Sequence, residues 1–434
     1  MKARPPVSVA APSSGLINDG ITDNSQALAN LIAATPDGGT IDLPSGIVCL
    51  ATGLLIKGRT KLRLRGGILK MTGAASHPLG TMDKFAVVFD GCNGCGLEGT
   101  TLIGNGKGPL VGFVDCVGSG LWHCDVSGAG GGNAQVASLY GSGSQFIGNA
   151  VHDSGGTETR GLWIGNVQTI EIETGALIQN NRVFGNTASG IVHVGIGGVI
   201  TGNNSNSNMG AGIVVSGNAE AHSVGVTISN NSCSYNAYHG IQAGDSGDVT
   251  HQLAKEFCAA AGSVVGNVLF NNINSGVFVT DAVGWTISGN NCFDNVLNGI
   301  QVEANVYDIS VAGNICLDTR VGSARTQQCG IKAVGYYPDT FKAVSISGNV
   351  CSNHKSHGIF AQSNDTALMK SVSITGNSCN GNDGGGIFLA EATVGTITGV
   401  QDGNSCRDNA GVDIRNTTSD IRNGTSFFVT KQGF

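Results

Sequence analysis

Short runs in which apolar and polar residues alternate recur along most of the chain, each closed by the same turn. Val344-Ser345-Ile346-Ser347 alternates, Gly348-Asn349 breaks the run, and Val350-Cys351, Asn353 and Gly358-Ile359-Phe360-Ala361 complete the unit. The formula returns at 372–377 with Cys379, Asn382 and Gly386-Ile387, and at 286–290 with Cys292, Asn295 and Gly299-Ile300. It returns again at 227–231 with Cys233, Asn236 and Gly240-Ile241, and looser copies carry Asn149, Asn181, Asn203, Asn267, Asn314 and Asn404. Successive copies lie about 22 to 36 residues apart, a period that marks a solenoid. Alternation with period two predicts strands with one buried face, and Gly-Asn predicts a turn. Short strands, such turns and insertions of variable length describe the coils of a parallel β-helix, an all-β solenoid.

Composition adds constraints. Among 434 residues there are 69 glycines and only 12% charged residues, which suits tight corners and stacked uncharged side chains. A solenoid grows in one dimension, so this length does not require several cores. The formal net charge of -7 excludes a nucleic-acid backbone as partner, and an acidic polysaccharide would need a local basic patch. No apolar run of about 18 residues is present, so no membrane span is expected. Met1-Lys2-Ala3-Arg4-Pro5-Pro6 lacks an apolar signal core, so the expectation is either another export route, such as assembly into a virion, or a signal that has been removed. Of the 13 cysteines, Cys233, Cys292, Cys316, Cys351, Cys379 and Cys406 each follow a repeat asparagine by two residues. In neighbouring coils such positions stack about 4.8 Å apart, so they read as an internal ladder of reduced thiols. Cys92–Cys95 and Cys116–Cys124 remain open as disulfides, and a lone C-x-x-C makes a weak zinc motif.

Near the N-terminus, Asn18-Asp19-Gly20-Ile21-Thr22-Asp23 precedes a short helix, capped by Asp23 or Ser25, that runs to about Ala34. Gly38-Gly39-Thr40-Ile41-Asp42-Leu43-Pro44-Ser45-Gly46 then reads as turn, strand, turn. This segment resembles the N-terminal signature of the pectate-lyase-like right-handed parallel β-helix superfamily, shared by phage tailspikes, polysaccharide lyases, some glycoside hydrolases and uronan epimerases. The resemblance implies a right-handed coil whose open N-terminal edge is plugged by the helix, and Asp19, Thr22 and Asp23 then serve turns and caps. It also implies a tailspike-like context and a homotrimer. It selects no reaction. His239-Gly240-Ile241 is similar to the His-Gly element of polygalacturonases, but the acidic and Arg-Ile-Lys elements that accompany it are missing, as is the Asp-Pro-His motif of mannuronan epimerases. The expected organisation is a lead-in with capping helix over 1–46, the β-helix over 47–420, and a C-terminal cap or oligomerisation strand over 421–434.

The first coils are expected to place strands near 54–56, 62–64, 86–89 and 110–114. Insertions at about 246–263, with helix-like 253–257, and at 335–340 map to loops on one face, a common binding face. In each Gly-Ile-x-apolar strand the residue after Ile points outward. Coil by coil that column reads Trp163, Val192, Val214, Gln242, Phe278, Gln301, Lys332, Phe360, Phe388 and Asp413. Rings stack on pyranose faces and amides or charges take hydroxyls, so the column suits a sugar chain. A protomer interface is the alternative. Asp245, Asp281 and Glu303 end three consecutive strands, and two carboxylates about 5 to 10 Å apart span both glycosidase geometries. The same residues also suit a calcium site or plain turns, and no cofactor is otherwise expected. A lyase would instead use Lys332, His239, His357 and Tyr336, which lie on or beside the column. His152-Asp153 with Glu158 and Arg160 forms a second polar group. The expected activity is polysaccharide binding with cleavage by a hydrolase or lyase; the rivals are a non-enzymatic tail component and a secreted carbohydrate enzyme.

Overall fold

The computed structural model describes residues 15–79, 83–165, 173–217, 222–244, 257–336, 340–364, 368–391, 396–416 and 421–423. The chain divides into two compact units, Met1–Gly210 and Ala211–Phe434. Each is built from coils of right-handed parallel β-helix whose short strands stack into three sheets, here termed A, B and C.

Unit 1 opens with the strand Asp19–Asp23 and helix α1 (Ser25–Ala34). The Asp19 carboxylate accepts the backbone N–H groups of Ile21 and Thr22 and the Thr22 hydroxyl, which fixes the turn. Asp23 accepts the N–H and hydroxyl of Ser25 at the helix start and the N–H of Ala51. These hydrogen bonds, the one from Thr22 foremost for Asp19 and the one from Ser25 foremost for Asp23, hold both carboxyls below their ordinary range. Helix α1 buries Leu28 and Ile32. Strands follow at Leu54–Lys57, Arg63–Arg65, Val87–Asp90 and Val111–Val114. Within sheet A of this unit Val48, Leu69, Leu102, Val126, Val151 and Val183 stack in register and face inward. Sheet B does the same with Leu64, Leu97, Leu121, Phe146, Ile178 and Ile200. Burying each such side chain contributes about 1.5–3 kcal/mol.

In unit 2 the inward column of sheet A is made of thiols. Cys292, Cys316, Cys351, Cys379 and Cys406 are consecutive partners, and Cys233 stands one coil beyond Leu269. All thirteen cysteines are free and buried, so neither Cys92–Cys95 nor Cys116–Cys124 is bridged. Burial pushes the Cys124 thiol up to about 11 and raises Cys233 further, which keeps both protonated.

The repeat asparagine holds the turn between sheets B and A. Asn349 takes its place after Gly348, whose φ of 62° favours glycine. Its Nδ2 donates to Val311 O at 2.9 Å and to Asn377 Oδ1 at 3.0 Å, and its backbone N–H donates to the same Oδ1. Asn231, Asn267, Asn290, Asn314, Asn349, Asn377 and Asn404 continue this amide ladder through unit 2, and Asn149, Asn181 and Asn203 form it in unit 1. Every rung is buried and satisfied, so the polar column does not carry the desolvation penalty of unmade bonds.

A second ladder, Asn236, Asn272 and Asn295, changes composition lower down. Asn295 N donates to Gln327 Oε1, and His354 occupies the next rung and donates its N–H to Asn382. His354 Nε2 meets Cys316 O at 3.1 Å, so that nitrogen carries the proton and Nδ1 accepts from Gln327 Nε2. Burial pushes the His354 pKa down to about 3, consistent with this neutral ring. The insertion at 246–256, with the helix-like 253–256 in it, and the apolar segment 424–429 lie outside the described residues.

Candidate functional site

The outward face of sheet C in unit 2 carries the column. Its register runs Val214, Gln242, Phe278, Gln301, Lys332, Phe360, Phe388, and each residue is the direct partner of the next. The last step falls on Arg415, where the sequence count put Asp413: Ile414, not Val412, is the partner of Ile387, so Gly411-Val412 is not the Gly-Ile element of this coil. Trp163 belongs to unit 1, is 8% exposed and lies under the Arg160 guanidinium.

Outward does not mean open along the whole column. Gln242 and Phe278 are 8% and 3% exposed; over Phe278 the His239 ring lies flat with centroids 4.4 Å apart, and Tyr238 abuts His239 edge-on. Burial pushes the His239 pKa down to about 3, so this ring is a neutral cover plate. Lower down, Lys332, Phe360 and Phe388 are only half-buried. There the surface hollows into a cleft of about 290 Å³. Gln301, Lys332 and Phe360 form its floor, and Leu297, Asn298, Gln328, Cys329 and Ser356 form its side.

The carboxylates separate. Asp245 lies outside the described residues. Asp281 is fully buried at the corner after the strand Val277–Val279, with φ 45°, and its carbonyl accepts the Cys258 N–H. Val279 pairs with Val302, so continuing the register sets Thr280, not Asp281, opposite Glu303. The two acids fall five and four residues after their glycines, and that one-residue difference sends Asp281 into the corner. The expected cluster of three exposed acids is therefore not formed by Asp281 and Glu303. Glu303 is half-buried beside Gln301.

Glu303 is held in place. Gln301 Nε2 donates to Glu303 Oε2 at 2.6 Å, and Gln301 Oε1 accepts from Asn298 Nδ2 at 2.6 Å and the Ser275 hydroxyl at 3.1 Å. The two incoming donors fix which end of the amide faces the acid. Ser275, Asn298, Gln328 and Ser356 escaped the sequence reading. Ser275 and Asn298 precede the repeat glycine, the position at which only His239 and His357 were singled out. His357 stacks on Phe388 at 5.0 Å, and its Nδ1 lies 2.7 Å from Ser356 Oγ. Tyr336 is exposed at the end of the strand Cys329–Gly335 and does not line the cleft. Its neighbours 337–339 are outside the described residues.

One side of the cleft is braced by an ion pair on a buried carboxylate. The buried Asp318 carboxylate accepts Arg320 Nε at 2.7 Å and Nη2 at 3.1 Å, and the N–H groups of Thr326 and Gln327. Burial alone would raise the Asp318 pKa, but these hydrogen bonds outweigh it and hold it below 3.8. The loop that brings Gln328 and Cys329 to the cleft is anchored here. In unit 1, His152 lies between Asp125 and Asp153 at 2.9 and 2.8 Å and stacks on Phe184. Among the described residues no three His, Cys, Asp or Glu side chains group closely enough to hold a metal ion. No helix among them is long and apolar enough to cross a membrane.

No family model matches the chain, and no curated protein matches it in sequence. Solved structures do. The Dettilon tailspike protein superposes with a TM-score of 0.55 at 18% identity, over 78% of this chain and 65% of the tailspike. The A-module of the Azotobacter vinelandii mannuronan C-5 epimerase AlgE4 gives 0.50 at 16% identity, over 89% and 98%. PfbA, a surface adhesin of Streptococcus pneumoniae, gives 0.50 at 12% identity, over 88% and 92%. At such identities the likeness is one of fold: the chain is a right-handed parallel β-helix.

Proposed function

We propose that this protein binds a polysaccharide along sheet C of unit 2 and acts on it at the cleft. The observation that carries the reading is the cleft itself: an aromatic ring, amides and a lysine share one open hollow, and Gln301 of its lining holds the Glu303 carboxylate at 2.6 Å. Phe360 offers a stacking face, Gln301, Asn298 and Gln328 offer hydrogen bonds, and Lys332 offers a positive charge for an acidic sugar. Lys332 and Glu303 are the acid–base pair of this proposal. Among the described outward side chains of this face Glu303 is the only carboxylate, which departs from the two-carboxylate pattern of glycosidases and favours elimination beside a uronate. The lack of Asp-Pro-His counts against epimerisation. The names of two neighbours in fold, a tailspike and an epimerase of mannuronan, fit a polysaccharide ligand and a place outside the cell or on a virion. A homotrimer is part of the tailspike-like proposal, tested by light scattering.

The test is incubation with bacterial capsular, exopolysaccharide and plant polysaccharides, followed for reducing ends and for the ultraviolet absorbance of unsaturated uronates. Both signals are expected, and both are expected to vanish in Glu303→Gln. Reducing ends without the absorbance would replace elimination by hydrolysis. Binding without products favours a second reading, a receptor-binding component, which the single described carboxylate also supports. No binding to any glycan would overturn the proposal.

A further inference from the structure

Ser356 and His357 are not used by that chemistry, yet one of the two reaches the same cleft. Ser356 lines it, and its Oγ lies 2.7 Å from His357 Nδ1. The imidazole is gripped by aromatic rings: Phe388 stacks on it at 5.0 Å with planes 19° apart, and Phe360 lies 5.6 Å away. With His357 Nδ1 unprotonated, the Ser356 hydroxyl donates to it, the arrangement in which serine becomes a nucleophile. Lys332, which also lines the cleft, is a cation able to receive negative charge that develops on a carbonyl oxygen. Cys329, the other nucleophilic side chain lining the cleft, does not compete: burial raises its thiol pKa and keeps it protonated.

We infer that the cleft also hydrolyses small O-acyl esters carried by the bound sugar, with Ser356 as nucleophile and His357 as its base. This rests on the proposal that the cleft receives a sugar. Ser356 Oγ attacks the acyl carbonyl carbon and its proton passes to His357 Nδ1. The carbon–oxygen bond to the sugar then breaks, and the sugar oxygen takes that proton and leaves as a hydroxyl. Water repeats the sequence: it gives a proton to Nδ1, its oxygen joins the carbonyl carbon, and Ser356 leaves reprotonated. The products are a carboxylic acid and a deacylated glycan, with no oxidant or cofactor required. A cleft of about 290 Å³ suits one substituted sugar unit more than a long acyl chain.

The test uses the full chain. A fluorophosphonate probe is expected to label the protein once, at Ser356, as located by peptide mass spectrometry. Acetate release from acetylated xylan and from p-nitrophenyl acetate is expected to fall to background in Ser356→Ala and by about 10²–10⁴-fold in His357→Gln. Because labelling is read on the unsubstituted protein, a folding defect in either variant cannot mimic the result. Absence of label and of acetate release overturns the inference even if glycans bind. Label and p-nitrophenyl acetate hydrolysis without binding to any polymer would keep the nucleophile and overturn the polysaccharide reading and the sugar-ester assignment. Label at a residue other than Ser356 overturns it as well.

Discussion

Replacing Asn349 by alanine tests whether the amide ladder is the polar spine of unit 2. Asn349 Oδ1 accepts from the backbone N–H of Asn314 at 2.9 Å and from Asn314 Nδ2 at 3.0 Å, while its own Nδ2 serves Val311 O and Asn377 Oδ1. Both asparagines are fully buried. Truncation leaves the Asn314 N–H without its acceptor, at a cost of about 1–3 kcal/mol. The two bonds made by the lost Nδ2 add about 0.5–1.5 kcal/mol each, for a total of about 2–6 kcal/mol. Asn314 Nδ2 retains Ile287 O at 2.9 Å, so its loss is not counted. Asn291→Ala is the control, since Asn291 is exposed on the outward face of sheet A and is expected to change stability by less than about 0.5 kcal/mol. Urea unfolding followed by fluorescence of Trp285, which is fully buried in this unit, reads both variants, with Trp122 and Trp163 replaced by Phe in the background. A loss at Asn349 below about 1 kcal/mol, or one equal to the control, would refute the account.

Other outcomes follow from the same geometry. His239 and His354 are held neutral with pKa values of about 3, against 6.5 when unfolded, so the unfolded chain takes up protons first. Stability is then full above pH 6.5 and falls as pH drops toward 3, by about 1.4 kcal/mol per pH unit for each ring. A melting temperature that is flat between pH 6.5 and 4 would contradict this, and His354→Asn, the residue used on neighbouring rungs, is expected to shallow the slope. Asp318 adds a loss that begins only below 3.8, where its carboxylate must protonate, and Asp318→Asn is expected to bring that loss to neutral pH and loosen the cleft wall, seen as faster amide exchange over 318–328. All thirteen thiols are expected to resist an aromatic disulfide reagent in the native protein and to react after denaturation; fast native reaction at the ladder would show that the column is not packed. Gln301→Leu leaves Glu303 without its partner and takes an amide from the cleft, so weaker glycan binding and a drop in turnover at saturating glycan are both expected; unchanged turnover would remove the Gln301–Glu303 contact from the chemistry.

The alternating Val-Ser-Ile-Ser runs, the Gly-Asn turns and their spacing were enough to read the all-β coil, the thiol ladder and the roles of Asp19 and Asp23, because these depend on periodicity and local hydrogen bonding. The column from Val214 to Phe388 was legible for the same reason: strand parity carries from one coil to the next. Tertiary structure alone decided which parts of that column are open. The ring of His239 covers Phe278, and nothing in the spacing of a histidine before a glycine says that it will fold over its neighbour. The acids show the same limit. Asp281 and Glu303 differ by one position relative to their repeats, and one residue at a corner separates a fully buried side chain from a half-buried one. The Gln301 relay joins residues from different coils, and the Asp318 brace joins residues of an irregular turn. Their meeting depends on insertion lengths and corner geometry that a repeat pattern does not encode.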